Sequence, residues 1–245
     1  MALPLSISVK AAISPSVRNV CHDRRAAFAV PGFTATPAKR TPYTADQALA
    51  LLKRGNQTFI TDAPYRAATD RKRRIEIAAG QTPFVVLVSC SDSRVSPELL
   101  FGRGLGELFI VRNAGNTVDT TALGSIEYGV SVLGVPLVVV MGHEKCGAVD
   151  AAVDVVRNGT VYPGAIGSMI EPIIPAVLAA QPTRNDGLLD RAVKENVLRT
   201  VRRLATASEP SLTEPLKAGR LKVVGATYAL SDGRVSFYDV DGREV

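Results

Sequence analysis

The chain alternates between short apolar runs rich in β-branched residues and longer stretches with apolar positions every three or four residues. "PFVVLVSC" at 83–90 and "PLVVVMG" at 136–142 are apolar without interruption, the pattern of strands covered on both faces in a parallel sheet. "ELFIVRN" (107–113) reads as a shorter strand. Helical repeats lie between them. "TADQALALLKRGNQTFI" (44–60) opens on Thr44, a plausible N-cap, and carries Ala48, Leu51 and Leu52 on one face. A strongly charged helix is predicted over 66–81, another over 121–134, stopped by Gly134 and Pro136, and a further one over 148–159. Helical stretches near 165–180, 186–207 and 211–218 follow. "LKVVGATYAL" (221–230) and "RVSFYDV" (234–240), joined by "SDG", form a terminal strand and its hairpin partner. The alternation predicts an α/β fold: a central, mostly parallel sheet flanked by helices, with right-handed crossovers, an antiparallel edge strand near the C-terminus and an N-terminal helical arm.

Residues 1–44 break this pattern. They are rich in Ala, Ser, Pro and Arg, show no helical or strand period, and read as a basic, disordered or targeting tail preceding one domain at 45–245. The net charge of +6 could suggest a nucleic-acid partner. However, Lys10, Arg18, Arg24, Arg25, Lys39 and Arg40 face only Asp23 in the tail, and the remaining residues carry 23 Lys/Arg against 22 Asp/Glu. The body is nearly neutral, has no Trp and few aromatics, and no nucleic-acid partner is expected. No apolar stretch approaches the roughly 20 residues of a membrane span. Three widely spaced cysteines, Cys21, Cys90 and Cys146, do not resemble a disulfide framework and suit a reducing, cytoplasmic setting. Arg24-Arg25 ahead of "AAFAVPGFTATPA" leaves export by a twin-arginine-like segment as the alternative.

The chemistry-bearing residues of the body are few. His143 and Cys146 in "HEKCGAV" are a weak pair by themselves, since a lone thiol is usually a small core residue and a lone His a hydrogen-bonded structural one. The predicted topology strengthens them. Cys90 ends one central strand, His143 lies just past the end of another, and Cys146 opens the next helix, so all three can converge beyond the carboxyl ends of a parallel sheet. Cys₂His is a zinc donor set, and three protein ligands leave the open position that catalytic zinc needs. The tail pair Cys21-His22 is discounted, having nothing to hold it rigid. "CSDSR" adds Asp92 and Arg94, either a surface ion pair of little value or partners of the metal ligands. A phosphatase-type thiolate loop fits less well, because its Cys and Arg are separated by five residues and no acid sits between them.

"CSDSRV" and "HEKCGAV", with "GELFIVRNAGN" and "GSIEYGV" between them, closely resemble the β-class carbonic anhydrases over residues 45–245. The resemblance implies one Zn²⁺ per subunit on Cys90, His143 and Cys146, and reversible hydration of CO₂ to bicarbonate and a proton. It implies that Asp92 accepts a hydrogen bond from the attacking water while Arg94 holds Asp92, and that Asp92 could itself reach the metal if that pair opened. Phe109, Val118 and Tyr128 would line the CO₂ pocket, Gln81 would donate a hydrogen bond to substrate, and Gly147 would leave backbone access. The pocket would be built across a dimer interface, with the helix at 44–60 wrapping the neighbour, in a homodimer or tetramer. Alternatives are a carbon disulfide or carbonyl sulfide hydrolase on the same fold and a non-catalytic, zinc-stabilised binding protein.

Overall fold

The computed structural model describes residues 40–181 and 187–245. The expected tail therefore lies outside the described residues except for 40–44, as do Cys21 and His22. Helix α1 (Ala45–Ile60) starts with a capping box in which Thr44 and Gln47 bond each other's backbone. The charged helix α2 is shorter than predicted, Arg71–Ile77, because Asp70 caps it through the Arg73 amide. Strand β1 (Val85–Cys90) is followed by a one-turn helix α3 (Pro97–Leu100), begun by Pro97 and not anticipated from the sequence. After β2 (Leu108–Asn113), α4 (Thr120–Glu127) runs into a π-helical turn at Tyr128–Val132, so the helix predicted over 121–134 is not uniform. Strand β3 (Leu137–His143) includes His143 as its last residue. Helix α5 (Gly147–Asn158) follows. The stretch predicted near 165–180 divides into α6 (Gly164–Ile170) and α7 (Ile174–Ala180), where Pro172 and Pro175 each remove an amide donor. Helices α8 (Leu188–Ala205) and α9 (Pro210–Lys217) precede β4 (Lys222–Tyr228) and β5 (Val235–Tyr238).

The strands form one sheet in the order β2-β1-β3-β4-β5, parallel except for β5, the antiparallel edge predicted for the terminal hairpin. The unbroken apolar runs are explained by two covered faces. Val85, Leu87, Leu137, Val139 and Met141 face one layer, with α1 and α3. Val86, Val88, Val138 and Val140 face the other, with α4, α8 and α9. Helix α8 lies very close to the sheet: a Cβ on Gly142 or on Gly225 would come within 2.8 Å of Val197 methyl carbons, so only glycine allows this approach.

The N-terminal helix is not a free arm. Its buried face, Ala48 and Leu52, is part of its own chain's core. The buried Asn56 ties it to the hairpin, donating to the Gly233 carbonyl at 2.9 Å and accepting from the Val235 amide at 2.9 Å. The apolar stripe of this helix is thus covered within the chain, and any contact of residues 44–60 with a neighbour would use the helix's other faces. Among the described residues, no helix is long and apolar enough to cross a membrane.

Candidate metal centre

Because β1 and β3 are parallel neighbours, their last residues point out of the same end of the sheet. Cys90 ends β1, His143 ends β3, and Cys146 occupies the N-cap of α5 after the tight turn through Glu144 and Lys145, where Lys145 takes a positive φ of 51°. All three are buried, and their ligand atoms lie within 4.8 Å of one another. The two Sγ atoms are 3.9 Å apart and form no disulfide.

Three observations test whether this group suits a metal. The ring of His143 is wholly buried, and its Nδ1–H donates to the Glu144 carbonyl at 2.8 Å. A carbonyl only accepts, so that bond fixes the tautomer and leaves Nε2 with its lone pair facing inward and no protein partner. The thiols behave as an incompatible pair. Cys90 is pulled down to about 4, first by the Cys146 thiol donating to it and further by the Gly115 amide. Cys146 is pushed far above its ordinary value by the same contact and by burial, although the amides of Val149 and Ala148 pull it the other way. Two buried sulfurs this close cannot both be anionic unless a cation lies between them. Third, two thiolates and one neutral imidazole are a soft, borderline set of the kind zinc takes. The residues present therefore fit the metal.

The neighbouring loop is braced. Asp92 accepts from Arg94 Nε at 2.9 Å and Nη2 at 2.7 Å, a bidentate pair, and from the Arg94 backbone amide at 2.9 Å. The guanidinium beside it holds the Asp92 carboxyl far below the usual carboxylate range. Its Oδ2 lies 3.9 Å from His143 Nε2, the atom aimed at the metal position. Asp92 is thus engaged by Arg94 and adjacent to the ligand group, and is not one of its members.

Sequence reasoning missed the parts that hold these residues in place. Arg112, near the end of β2, donates from Nε to the Cys90 carbonyl at 3.0 Å and from Nη2 to the Asp92 carbonyl at 2.9 Å. One fork thus fixes the backbone on both sides of Ser91. Glu144, which had no role from sequence, is pinned by its amide to the Tyr228 carbonyl and by Oε2 to the Leu230 amide, both at 2.9 Å, and its own carbonyl orients His143. Gly115 donates its amide to Cys90 Sγ at 3.4 Å. Arg112 carried a faint signal in "FIVRN"; the others carried none.

The remaining candidates divide by position. Gly147 is exposed at the first position of α5, and Val118 is buried five residues past the end of β2, both at the metal end of the sheet. Phe109 pairs in register with Val86 near the opposite end of β1, about 13 Å along the strand from Cys90. It packs on Tyr128 with ring centroids 6.0 Å apart, and Tyr128 is 42% exposed. Gln81 is exposed and precedes the amino end of β1. Within one chain, Gln81, Phe109 and Tyr128 do not meet the metal group.

Comparison with known proteins supplies a family context. The profile of the carbonic anhydrase family matches residues 85–235. "Carbonic anhydrase 2" of Mycobacterium tuberculosis is 42% identical over 194 residues, covering 78% of this chain and 92% of that protein. The solved structure of the β-carbonic anhydrase CcaA superposes with a TM-score of 0.63 at 26% identity, covering 82% of this chain and 90% of the other. One of the tetrameric β-carbonic anhydrases of Sordaria macrospora superposes with a TM-score of 0.61 at 25% identity, over 70% of this chain and 86% of that one.

Proposed function

Because this chain belongs to the β-class carbonic anhydrases, zinc enzymes that interconvert carbon dioxide with bicarbonate and a proton, we infer that its reaction runs at Cys90, His143 and Cys146, with Asp92 and Arg94 alongside. The observation that carries this assignment is the inward, unpartnered Nε2 of His143 beside two sulfurs 3.9 Å apart. Cys90, His143 and Cys146 would hold one zinc per subunit, which would supply a water acidic enough to lose a proton near neutral pH.

The chain's own groups do the rest. Asp92, kept ionised by Arg94, can only accept a hydrogen bond. Its Oδ2 has lone-pair capacity beyond the Arg94 contact, so it can take the proton side of the attacking water and turn the oxygen lone pair toward the carbon of CO₂. Arg94 keeps that oxygen in place and would keep Asp92 from joining the ligand group. Arg112 holds Cys90 and Asp92 at a fixed separation. Arg112→Ala is expected to retain zinc and to lose about tenfold in kcat with little change in KM. Guanidinium ion in the buffer should restore part of the rate, and a variant with wild-type kcat would remove Arg112 from this role.

We propose that the apolar CO₂ pocket is completed by a second copy. Val118 and Gly147 belong to the metal end of their own chain, whereas Gln81, Phe109 and Tyr128 belong to the other end, so a pocket containing all five needs two chains. A homodimer or a tetramer follows, in keeping with the tetrameric Sordaria relatives. The activity is tested by stopped-flow CO₂ hydration beside carbon disulfide and carbonyl sulfide consumption on one zinc-loaded preparation. Fast CO₂ hydration without consumption of the sulfur substrates is the expected result; the reverse pattern would overturn the substrate assignment.

A further inference from the structure

We propose that Asn196, a buried side chain on α8, is a positioning residue for the metal ligand Cys90 and sets its donor strength through the backbone of Gly115. The inference rests on the reading that Cys90 binds zinc. Asn196 is 4% exposed and donates from Nδ2 to the Gly115 carbonyl at 2.9 Å. Gly115 in turn donates its amide to Cys90 Sγ at 3.4 Å. The two bonds leave Gly115 from the peptide planes on either side of its Cα, so with φ held at +78° anchoring one plane restrains the other.

The turn that makes this possible is closed locally by Asn113 Nδ2 donating to the Thr117 carbonyl at 2.7 Å, and is braced from outside as well. Gly115 has a φ of +78° and Asn116, next in the chain, a φ of +45°, so two consecutive residues lie in the left-handed region. A Cβ on Gly115 would come within 2.6 Å of Ile173 Cδ1 and 3.1 Å of Ala148 Cβ, and together with the positive φ this favours glycine here. The brace comes from α8, and α8 reaches this depth because Gly142 and Gly225 let Val197, next to Asn196, press against the sheet. The arrangement thus connects Asn196 to Cys90 through one intervening residue, Gly115.

Its chemical effect follows from charge. Two thiolates formally neutralise a divalent ion, which weakens its pull on water relative to three neutral ligands. A hydrogen bond donated to a thiolate withdraws electron density from the sulfur and restores part of that pull. Cys90 receives such a bond from Gly115, and Asn196 keeps it aimed.

The test uses holoenzyme with cobalt(II) in place of zinc, comparing wild type with Asn196→Leu, which matches the volume without a donor, and Asn196→Ser, which is too short to reach and guards against a Leu variant that does not fold. The readouts are the thiolate-to-cobalt charge-transfer band, the thermal midpoint, and kcat of the zinc forms. With full metal content, the band is expected to move to lower energy and kcat to fall about tenfold. A purely structural Asn196 lowers the thermal midpoint but leaves the band in place; an unmoved band, or one moved to higher energy, overturns the proposal. If the wild-type band has no more than the intensity of a single thiolate–cobalt bond, the metal assignment to Cys90 fails instead, whereas a two-thiolate band that Asn196→Leu leaves unmoved overturns only the proposal.

Discussion

Cys90→Ser is expected to yield a folded protein that has lost zinc and CO₂ hydration together. The serine hydroxyl is not ionised near neutral pH and cannot replace a thiolate ligand, so metal affinity should fall by more than the roughly 100-fold that follows loss of an outer partner. The fold should survive, because Cys90 ends a strand whose ladder bonds are made by its backbone, and Arg112 still clamps its carbonyl. Cys146→Ser should lose the metal equally but differ in stability. Cys146 is the N-cap of α5; its sulfur faces the Ala148 and Val149 amides as a weak acceptor, and serine is a preferred cap. Both cysteines lie in one apolar cluster, but a hydroxyl at 146 meets the first amides of α5, so metal-free Cys146→Ser should exceed metal-free wild type in stability by about 1 kcal/mol, whereas metal-free Cys90→Ser gains no cap and should not. Metal content by elemental analysis and urea melts of the stripped proteins check both statements. Full zinc in Cys90→Ser would sink the site assignment.

The sheet and the ligand set were legible for the same physical reason. A strand buried on both faces must be apolar at every position, and parallel strands must deliver their carboxyl ends to one side, so β1 and β3 and the meeting of Cys90 with His143 follow from pattern alone. Helix α1 was legible from Thr44 and its apolar spacing, but not its destination, since the same stripe can cover a neighbour or, as here, the chain's own core. The turn of α3 and the π-helical turn after α4 escaped because a single turn contains too few positions to show a period. The residues bracing the metal group escaped for a different reason. Arg112, Glu144 and Asn196 act through backbone carbonyls and amides, and any sequence supplies those groups; only the folded geometry shows which are used.

Asp92→Asn should separate catalysis from metal binding. Asp92 is not among the ligands, so zinc content should stay at one per subunit. What is lost is an acceptor. Asparagine presents one oxygen and an NH₂ group, so it cannot accept both Arg94 bonds, and its NH₂ would face either the guanidinium or the attacking water with the wrong polarity. A fall in kcat of roughly 10²–10³-fold is expected, in the range seen when a positioned proton acceptor is removed, with KM nearly constant because the CO₂ pocket is untouched. The pH dependence has a definite sign. Arg94 depresses the folded-state pKa of Asp92, so this carboxylate contributes stability above the unfolded carboxyl value near about 4 and loses it only as pH falls toward the depressed folded value. Between pH 5 and 9 Asp92 stays charged, and the inflection in wild-type kcat must belong to another group. Arg94→Ala distinguishes the two halves of the pair: it leaves the carboxylate, whose Oδ2 lies 3.9 Å from His143 Nε2, but frees it to turn toward the ligand group, so its activity should be low at acid pH and recover as hydroxide competes. Stopped-flow profiles of the three proteins decide this. An Asp92→Asn enzyme with wild-type kcat, or one that has lost its zinc, would show that Asp92 serves the metal's binding or nothing at all, and not the attack on CO₂.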